Sequence, residues 1–172
     1  MPTGFYEIIT KKDMKAIIAY LRTLKPIKNK VPDPVYKMKQ VRQIFPGAAH
    51  RYREAMFSDR QKHGFYLATI GHCMECHTPM VQGRHNWAKD LGRGGFEFPG
   101  PWGVSVSRNI TQSKTKGIGA WSDAEIKRAI TTGFDKDGKH LKPPMGFSYY
   151  AKMSDLDIAD IIAYLRTVPP KE

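Results

Sequence analysis

Apolar residues recur three and four positions apart in four stretches of the chain, which is the spacing of one face of an α-helix. These stretches span residues 10–24, 58–72, 122–132 and 154–167. Capping patterns mark their starts, most fully in the Ser122-x-x-Glu125 box of the third stretch, which Gly133 then ends. Pro169 and Pro170 stop the fourth stretch. The pattern therefore predicts four helices.

The segment between the second and third helices is irregular. Residues 91–119 are rich in glycine and also contain the aromatic side chains Phe96, Phe98 and Trp102. Long loops in compact domains usually have a function or are disordered, and the aromatic residues argue against disorder. A short strand is expected at most within residues 103–110. We therefore expect an all-α fold whose helices and long loops wrap a flat apolar ligand.

The two cysteines of the chain lie together in the sequence Cys73-Met74-Glu75-Cys76-His77. This C-x-x-C-H arrangement is the attachment signature of c-type haem. Two thiols three positions apart can each add to one vinyl group of the same porphyrin, and the next residue places an imidazole beneath the iron. The motif predicts thioether bonds from Cys73 and Cys76 and a proximal iron ligand in His77.

Two other functions of a cysteine pair need to be weighed. A redox disulfide of the thioredoxin type would lie in a βαβ unit, which the helical pattern does not predict. A zinc site would need a second cysteine pair or a spaced histidine pair, and neither follows the motif. Haem attachment is favoured, and a thiol-redox or other non-haem binding module stays as an alternative that predicts a colourless protein.

An iron with one histidine ligand needs a second axial ligand to become a six-coordinate electron carrier. The methionines after His77 are Met80, Met145 and Met153. Met80 is too near along the chain to reach the opposite haem face, and Met153 precedes a helix cap, where core packing is its expected role. Met145 follows two prolines that stiffen its loop, so little entropy is lost on ligation. The sequence predicts His77 and Met145 as metal ligands of one covalent haem c.

The beginning and the end of the chain repeat each other. A shift of 144 positions aligns Met1 with Met145 and matches residues 17–23 to residues 161–167 without a difference. The simplest alternative is duplication of one packing helix. The repeat favours a division into a C-terminal helical remnant of a preceding cytochrome c-like domain (1–27), a basic linker (28–57) and a complete cytochrome c domain (58–172).

The formal net charge is +12, so the surface attracts acidic proteins, anionic lipid or nucleic acid. The basic residues are scattered, and no zinc-finger or RNA-binding signature is present, so nucleic acid is not an expected partner. No apolar run reaches the ~20 residues that span a bilayer, and no signal peptide opens the chain. If the protein works outside the cytoplasm, we expect this sequence to be a mature form or a fragment.

Several segments between residues 62 and 170 form a combination that is more specific than any one of them. They are Gly71-His72-Cys73-Met74-Glu75-Cys76-His77-Thr78-Pro79, Ser107-Arg108-Asn109-Ile110-Thr111, Gly117-Ile118-Gly119-Ala120-Trp121-Ser122-Asp123, Pro143-Pro144-Met145, Met153-Ser154-Asp155 and Ala163-Tyr164-Leu165-Arg166. With these segments the chain resembles a class I c-type cytochrome, and most of all the cytochrome c subunits of bacterial membrane-bound alcohol and aldehyde dehydrogenases. That group usually has three haem motifs, where this sequence has one.

The resemblance implies periplasmic electron transfer from a dehydrogenase toward a terminal oxidase or quinone in a respiratory chain. It also implies His/Met ligation and haem contacts from Asn109, Trp121 and either Tyr149 or Tyr150. Arg108 is expected either to pair with a haem propionate or to be an ordinary surface charge. The expected partners are acidic redox proteins such as a dehydrogenase subunit or a terminal oxidase, with association to a membrane complex.

The leading hypothesis is therefore a single-electron carrier, a subunit of an oxidoreductase complex that is not itself an enzyme. The alternative is a haem enzyme, such as a peroxidase or a sulfur-compound oxidising cytochrome, with an open or labile distal site. The remaining histidines are expected at the surface: His50, His63, His72, His85 and His140. If Met145 did not bind iron, His85 or His140 would be the next candidates.

Overall fold

The computed structural model describes residues 3–36 and 42–172 of the chain. Eight α-helices lie in these ranges: α1 (Thr3–Tyr6), α2 (Lys11–Thr23), α3 (Arg60–Ile70), α4 (Cys73–Cys76), α5 (Trp87–Asp90), α6 (Asp123–Thr132), α7 (Phe147–Tyr150) and α8 (Asp155–Leu165). A 3-10 helix at Glu54–Ser58 precedes α3. The four helices expected from the apolar pattern correspond to α2, α3, α6 and α8. Within the same ranges, no helix is long and apolar enough to cross a membrane.

Two small antiparallel hairpins make the described part mostly helical but not all-α, so the predicted fold class is too narrow. Strand β1 (Met80–Val81) pairs with β2 (Arg84–His85), and β3 (Glu97–Gly100) pairs with β4 (Gly103–Val106). The sequence indicates a strand only near β4, because Pro99 is unfavourable in most strands. A proline is tolerated in β3 because a two-stranded hairpin leaves one edge of each strand unpaired.

Side-chain caps determine where the longer helices begin. Thr10, Ser122 and Ser154 each accept a hydrogen bond from the backbone amide three residues further on, as their sequence patterns predict. Helix α3 is capped by Asp59 rather than by Ser58, because the Asp59 carboxylate accepts hydrogen bonds from two amides of the first turn. The helix therefore starts slightly later than expected.

Helices α3 and α8 cross at Gly64, in the centre of the domain. A Cβ placed on Gly64 would lie 1.8 Å from the carbonyl oxygen of Asp160, so the two backbones are in direct contact there. The Asp160 residue is 2% exposed, and its carboxylate accepts a hydrogen bond from Arg60 and contacts His63 Nδ1 at 3.0 Å. Burial would raise the pKa of Asp160, but these two partners outweigh burial and hold the pKa below its usual value.

Residues 3–10 belong to the core of the domain. Phe5 and Ile8 are 4% and 0% exposed, and the Phe5 ring stacks on Phe45 with centroids 5.2 Å apart. The amide of Tyr52 donates a hydrogen bond to the Ile8 carbonyl at 2.9 Å. This segment is therefore held by both apolar packing and backbone hydrogen bonding.

The predicted linker, residues 28–57, has two different environments. Residues 28–36 are exposed, and residues 37–41 lie outside the described part of the chain. Further on, Phe45 and Ala48 are 1% and 0% exposed. The second half of the segment therefore packs on the domain in addition to connecting it.

Gly64→Ala should destabilise the protein even though alanine is the better helix former. In an exposed helix the substitution would add about 1 kcal/mol of stability. Here the added methyl group would meet the Asp160 backbone, and we expect a loss of about 2 kcal/mol or more in the free energy of unfolding, measured by thermal denaturation. Gln61→Ala, on an exposed part of the same helix, is the control. A higher melting temperature for Gly64→Ala would show that the helices do not touch at this point.

Candidate haem-attachment site

The two cysteines lie at the ends of α4, a single helical turn that a two-residue bend separates from α3. Gly71 ends α3, and His72 has a left-handed backbone conformation with φ of 59°. Because Cys73 and Cys76 are three positions apart on one turn, their side chains leave the same face of the helix. Both thiols are free and partly buried. The turn therefore presents two sulfur atoms side by side.

The backbone of a distant loop holds the His77 ring. The Nδ1 atom of His77 lies 2.6 Å from the carbonyl oxygen of Arg108, which can only accept a hydrogen bond. Nδ1 must therefore carry the proton, and Nε2 keeps a lone pair that can bind a metal ion. Burial lowers the pKa of His77, and the hydrogen bond to Arg108 acts in the other direction without reversing the shift. The imidazole is thus neutral and oriented as a metal ligand must be.

A glycine-rich loop brings Arg108 to His77. The amide of Gly94 donates to the His77 carbonyl at 2.7 Å, and the amide of Gly92 donates to the Thr78 hydroxyl at 3.1 Å. Gly94 has φ of +77°, and a Cβ at this position would lie 2.5 Å from the backbone carbon of Arg108. Glycine tolerates both the left-handed conformation and the close approach. It therefore allows the loop to supply the carbonyl that orients the imidazole.

The donor set fits a covalently attached porphyrin better than a thiol-redox or zinc site. Burial, together with the neighbouring Cys76 thiol, raises the pKa of Cys73 to about 12, and burial also raises the pKa of Cys76. Cysteines that exchange disulfides or bind zinc act as thiolates and have lowered pKa values. In the described ranges, no cluster of three or more His, Cys, Asp and Glu side chains could hold a metal ion. Two neutral thiols beside one neutral imidazole suit haem attachment.

Met145 is partly buried in the loop that leads into α7. Helix α7 is joined to the cysteine-bearing turn by Tyr150, whose hydroxyl donates to the Gly71 carbonyl at 2.9 Å. Burial and the nearby Cys73 thiol raise the pKa of Tyr150, consistent with a phenol enclosed beside the sulfur. Helix α7 therefore ties the Met145 loop to the haem motif.

Arg108 and Asn109, two of the predicted haem contacts, bind protein groups in the structure. The Arg108 guanidinium pairs at 2.9 Å with Asp135, which is 3% exposed. The Asn109 amide donates to the Lys171 carbonyl at 2.7 Å, and its oxygen accepts from the Thr111 amide at 2.8 Å. The sequence does not predict that Arg108 contacts His77 through its backbone carbonyl. Every residue has a carbonyl, so this group gives no signal in the sequence.

Of the two tyrosines considered as haem contacts, the structure brings Tyr150 to the cysteines and leaves Tyr149 in solvent. Tyr149 is 77% exposed. Successive side chains on a helix leave it in different directions, so only one of the pair can face the motif. Trp121 is partly buried and packs against the apolar core, just before α6 begins.

Three of the histidines expected at the surface have partners inside the protein. His85 is 8% exposed, and its Nδ1 lies 3.1 Å from the Thr78 carbonyl. His63 contacts Asp160, and the Nε2 of His72 lies 2.7 Å from the hydroxyl of Tyr6. The other two histidines are exposed, as expected. The sequence could not indicate the contacts of His63 and His72 because their partners lie 97 and 66 residues away along the chain.

Residues 62–169, more than half of the chain, match the family model described as Cytochrome c. The chain belongs to the cytochrome c family. Membership implies a c-type haem and a function in electron transfer. This agrees with the paired thiols and the oriented imidazole of the motif.

Relatives named as cytochrome subunits of dehydrogenases share about a third of the aligned residues with this chain. The fructose dehydrogenase cytochrome subunit of Gluconobacter japonicus is 33% identical over 122 residues, which are 71% of this chain and 22% of that protein. The gluconate 2-dehydrogenase cytochrome c subunit of Pantoea cypripedii is 39% identical over 103 residues, 60% of this chain and 22% of that protein. The alcohol dehydrogenase (quinone) cytochrome c subunit of Gluconacetobacter polyoxogenes is 36% identical over 101 residues, 59% of this chain and 20% of that protein. The chain thus spans less than a quarter of the length of these relatives.

Gly94→Ala should loosen the hold on His77, whereas Gly95→Ala should not. Both glycines have positive φ, 77° and 89°, so both variants carry a backbone cost of roughly 1 kcal/mol. At position 94 the added Cβ would meet the Arg108 backbone, whereas at position 95 nothing lies within 4 Å. We expect Gly94→Ala to lose about 2 kcal/mol more than Gly95→Ala in guanidinium unfolding followed by haem absorbance. Equal losses would show that the loop does not clamp the histidine.

Asp135→Asn should change how the free energy of unfolding depends on pH. Burial would raise the pKa of Asp135, but the Lys139 amide and the Arg108 guanidinium outweigh burial and hold it below its usual value. A carboxyl whose pKa is lower in the folded state stabilises the protein at neutral pH, and this contribution is lost as pH falls from about 4 through the lowered value. The variant should be less stable than the wild type at pH 7, with a gap that narrows in this acid range.

Chemical unfolding at a series of pH values measures this gap. Asp137→Asn changes an exposed neighbour in the same loop and serves as the control. A gap that keeps the same size from neutral pH to pH 3 would show that Asp135 is not held ionised by its partners.

Proposed function

We propose that this protein is a single-electron carrier with one covalently attached haem c. Cys73 and Cys76 would form the two thioether bonds, and His77 would bind the iron through Nε2. The observation that carries the proposal is the 2.6 Å hydrogen bond from His77 Nδ1 to the Arg108 carbonyl, directly after a turn with two free thiols. When bound, the haem supplies the Fe(III)/Fe(II) couple, while the chain holds the imidazole and tunes the potential.

We assign the second axial position to Met145. A thioether ligand favours Fe(II) and raises the reduction potential. Met145 is partly buried after Pro143 and Pro144, and its loop is tied to the cysteine turn through α7. The other candidates are less suitable: Met80 is 43% exposed in β1, and Met153 packs against the apolar core.

Four further residues complete the proposed site. Arg108 orients the imidazole through its carbonyl, and Asn109 braces the same loop against the C-terminal segment. Trp121 would pack beside the porphyrin. Tyr150, which lies next to Cys73, takes the place proposed for Tyr149.

The partners we propose are acidic redox proteins of the bacterial periplasm. A dehydrogenase subunit would donate electrons, and a terminal oxidase or a quinone-linked complex would accept them. The net charge of +12 favours fast, salt-sensitive association with such partners. Relatives named as cytochrome subunits of fructose and gluconate dehydrogenases support an electron-transfer subunit of an oxidoreductase complex.

The division of the chain that we propose follows the internal repeat. Residues 58–172 contain the haem motif, Met145 and the α3–α8 crossing, and they agree with the family match over 62–169. Residues 1–27 would be the C-terminal helical part of a preceding cytochrome c domain, and residues 3–10 would form its contact with the core of this domain. Residues 28–57 would join the two.

Carbon monoxide binding to the reduced protein tests the proposed ligation. An iron held by both His77 and Met145 has no free coordination site, so the wild-type protein should bind little carbon monoxide at neutral pH. Met145→Ala opens the site, and we expect prompt binding together with a lower midpoint potential. Haem absorbance and potentiometric titration measure the two effects.

Met80→Ala is the matched control because it removes an exposed methionine close to the motif. It should leave both carbon monoxide binding and the potential unchanged. Prompt binding by the wild-type protein would contradict ligation by Met145 and favour a haem enzyme with an open distal site. A purified protein without covalent haem, after expression with a working haem-ligation system, would contradict the carrier function itself.

A further inference from the structure

The 144-residue repeat of the sequence is also a repeat of local structure. Helices α1 and α7 have equivalent bounds at this shift, and α2 and α8 begin at equivalent residues. The caps agree as well, since Thr10 accepts from the Asp13 amide and Ser154 accepts from the Asp157 amide. Residues 3–23 therefore have the local structure found at the end of the cytochrome c domain.

Four identical apolar residues are buried in one copy of the repeat and exposed in the other. In α8 they are at most 9% exposed: Ile161, Ile162, Tyr164 and Leu165. In α2 they are at least 41% exposed: Ile17, Ile18, Tyr20 and Leu21. Helix α2 has no buried residue, so within residues 3–36 and 42–172 its apolar face lacks the cover that the same face has on α8.

Helix α3 packs against α8 at Asp160 and Tyr164, and Gly64 allows the close approach. A Cβ on Gly64 would lie 1.8 Å from the Asp160 carbonyl oxygen and 3.0 Å from the Tyr164 Cβ. At the 144-residue shift, these two positions are Ala16 and Tyr20. Helix α2 could therefore pack against another helix that has a glycine opposite Ala16 and Tyr20.

We propose that the exposed apolar face of α2 is the docking surface for the first helix of a second cytochrome c domain. That helix would correspond to α3 and carry a glycine at the crossing point, and α1 and α2 would complete the domain to which it belongs. The inference rests on the proposed division of the chain. It adds the surface and the crossing point at which the two domains meet.

Arg22 offers a second contact of the same kind. Its counterpart Arg166 donates to the Trp121 carbonyl at 2.6 Å and pairs with Asp123 at 2.7 Å, which ties α8 to the start of α6. The identical Arg22 lies on exposed α2. It would fix the corresponding helix start of the second domain.

The helix that would dock on α2 is expected to differ from α3 in its charged residues. On α8 the carboxylate of Asp160 meets Arg60 and His63. The equivalent residue of α2 is Ala16, which offers no charge. The docked helix therefore needs no basic residue in the place of Arg60, because an unpaired arginine would gain nothing there.

Docking at this surface would place the second domain beside the haem motif of this one. Helix α7 touches the cysteine turn of its own domain through Tyr150 and Gly71. Its counterpart α1 touches the cysteine turn of this domain, where the Tyr6 hydroxyl lies 2.7 Å from His72 Nε2, beside Cys73. Helix α1 would thus contact the cysteine turn of this domain while belonging to the second domain.

A fusion tests the proposal: an additional copy of residues 58–144 is placed directly before Met1. Because the repeat has a shift of 144, residues 1–26 continue the added copy in register. The added haem domain is complete only if α2 can replace α8. We expect intact mass to show two haems, and the folded fusion to have two low-spin haems and an added domain that resists proteolysis. The original haem, with its own Met145, is the internal reference for the proposed function.

Substitutions on α2 show whether the apolar face is used. Ile18→Asp and Leu21→Asp would place a charge beneath the docked helix, and we expect proteolysis of the added domain to become roughly tenfold faster or more. The original domain should be unchanged. Lys12→Asp is the control because its counterpart Leu156 is 63% exposed on α8.

Ala16→Asp provides a gain-of-stability test. It restores a carboxylate opposite Arg60 and His63 of the added copy, as Asp160 does in the original domain. We expect this variant of the fusion to melt at a higher temperature than the parent fusion. The same substitution without the added copy should give no increase.

Three results would overturn the proposal. The first is an added domain that attaches haem yet stays protease-sensitive beside an intact original domain. The second is a dimer of the unfused protein that Ile18→Asp dissociates, which would assign the face to a second copy. The third is binding to vesicles of phosphatidylcholine and phosphatidylglycerol that Ile18→Asp abolishes, which would assign it to a lipid surface. None of these results affects the original haem and its ligands.

Discussion

The site depends on one hydrogen bond, from His77 Nδ1 to the Arg108 carbonyl. The α4 turn fixes the order of sulfur, sulfur and imidazole along the chain, but by itself it leaves the ring free to rotate and to be protonated on either nitrogen. A carbonyl 31 residues further on, at 2.6 Å, removes both freedoms. Because the acceptor is backbone, its position depends on the path of the loop, and therefore on Gly94 and Asp135.

The parts of the site that could be predicted from the sequence are those whose chemistry is local. The cysteine spacing and the adjacent histidine follow from one helical turn, and Ser122 and Ser154 cap their helices as neighbouring residues indicate. The acceptor for His77 could not be predicted in this way. The charge of Arg108 suggests a contact through its side chain, yet the residue acts on the histidine through a group that every residue has.

Contacts between distant segments account for what the sequence leaves open. Histidine is a polar residue that is expected at the surface, but His72 contacts Tyr6, which lies 66 residues earlier in the chain. Tyr149 and Tyr150 are equivalent by type, and only the direction of α7 decides which one reaches Gly71. The β3–β4 hairpin is obscured in the sequence by Pro99, whose tolerance depends on an unpaired strand edge.

A comparison of α2 with α8 shows which structural features an amphipathic pattern determines and which it does not. The pattern gives both helices the same apolar face, yet α3 packs against α8, whereas no residue of α2 is buried. Amphipathicity would be satisfied by any apolar residues at these positions, so it does not require the same Tyr-Leu-Arg-Thr in both copies. On α8, Tyr164 packs at the Gly64 crossing and Arg166 reaches the start of α6. Equal residues at the equivalent places of α2 would suit the same neighbours, which the proposed second domain would supply.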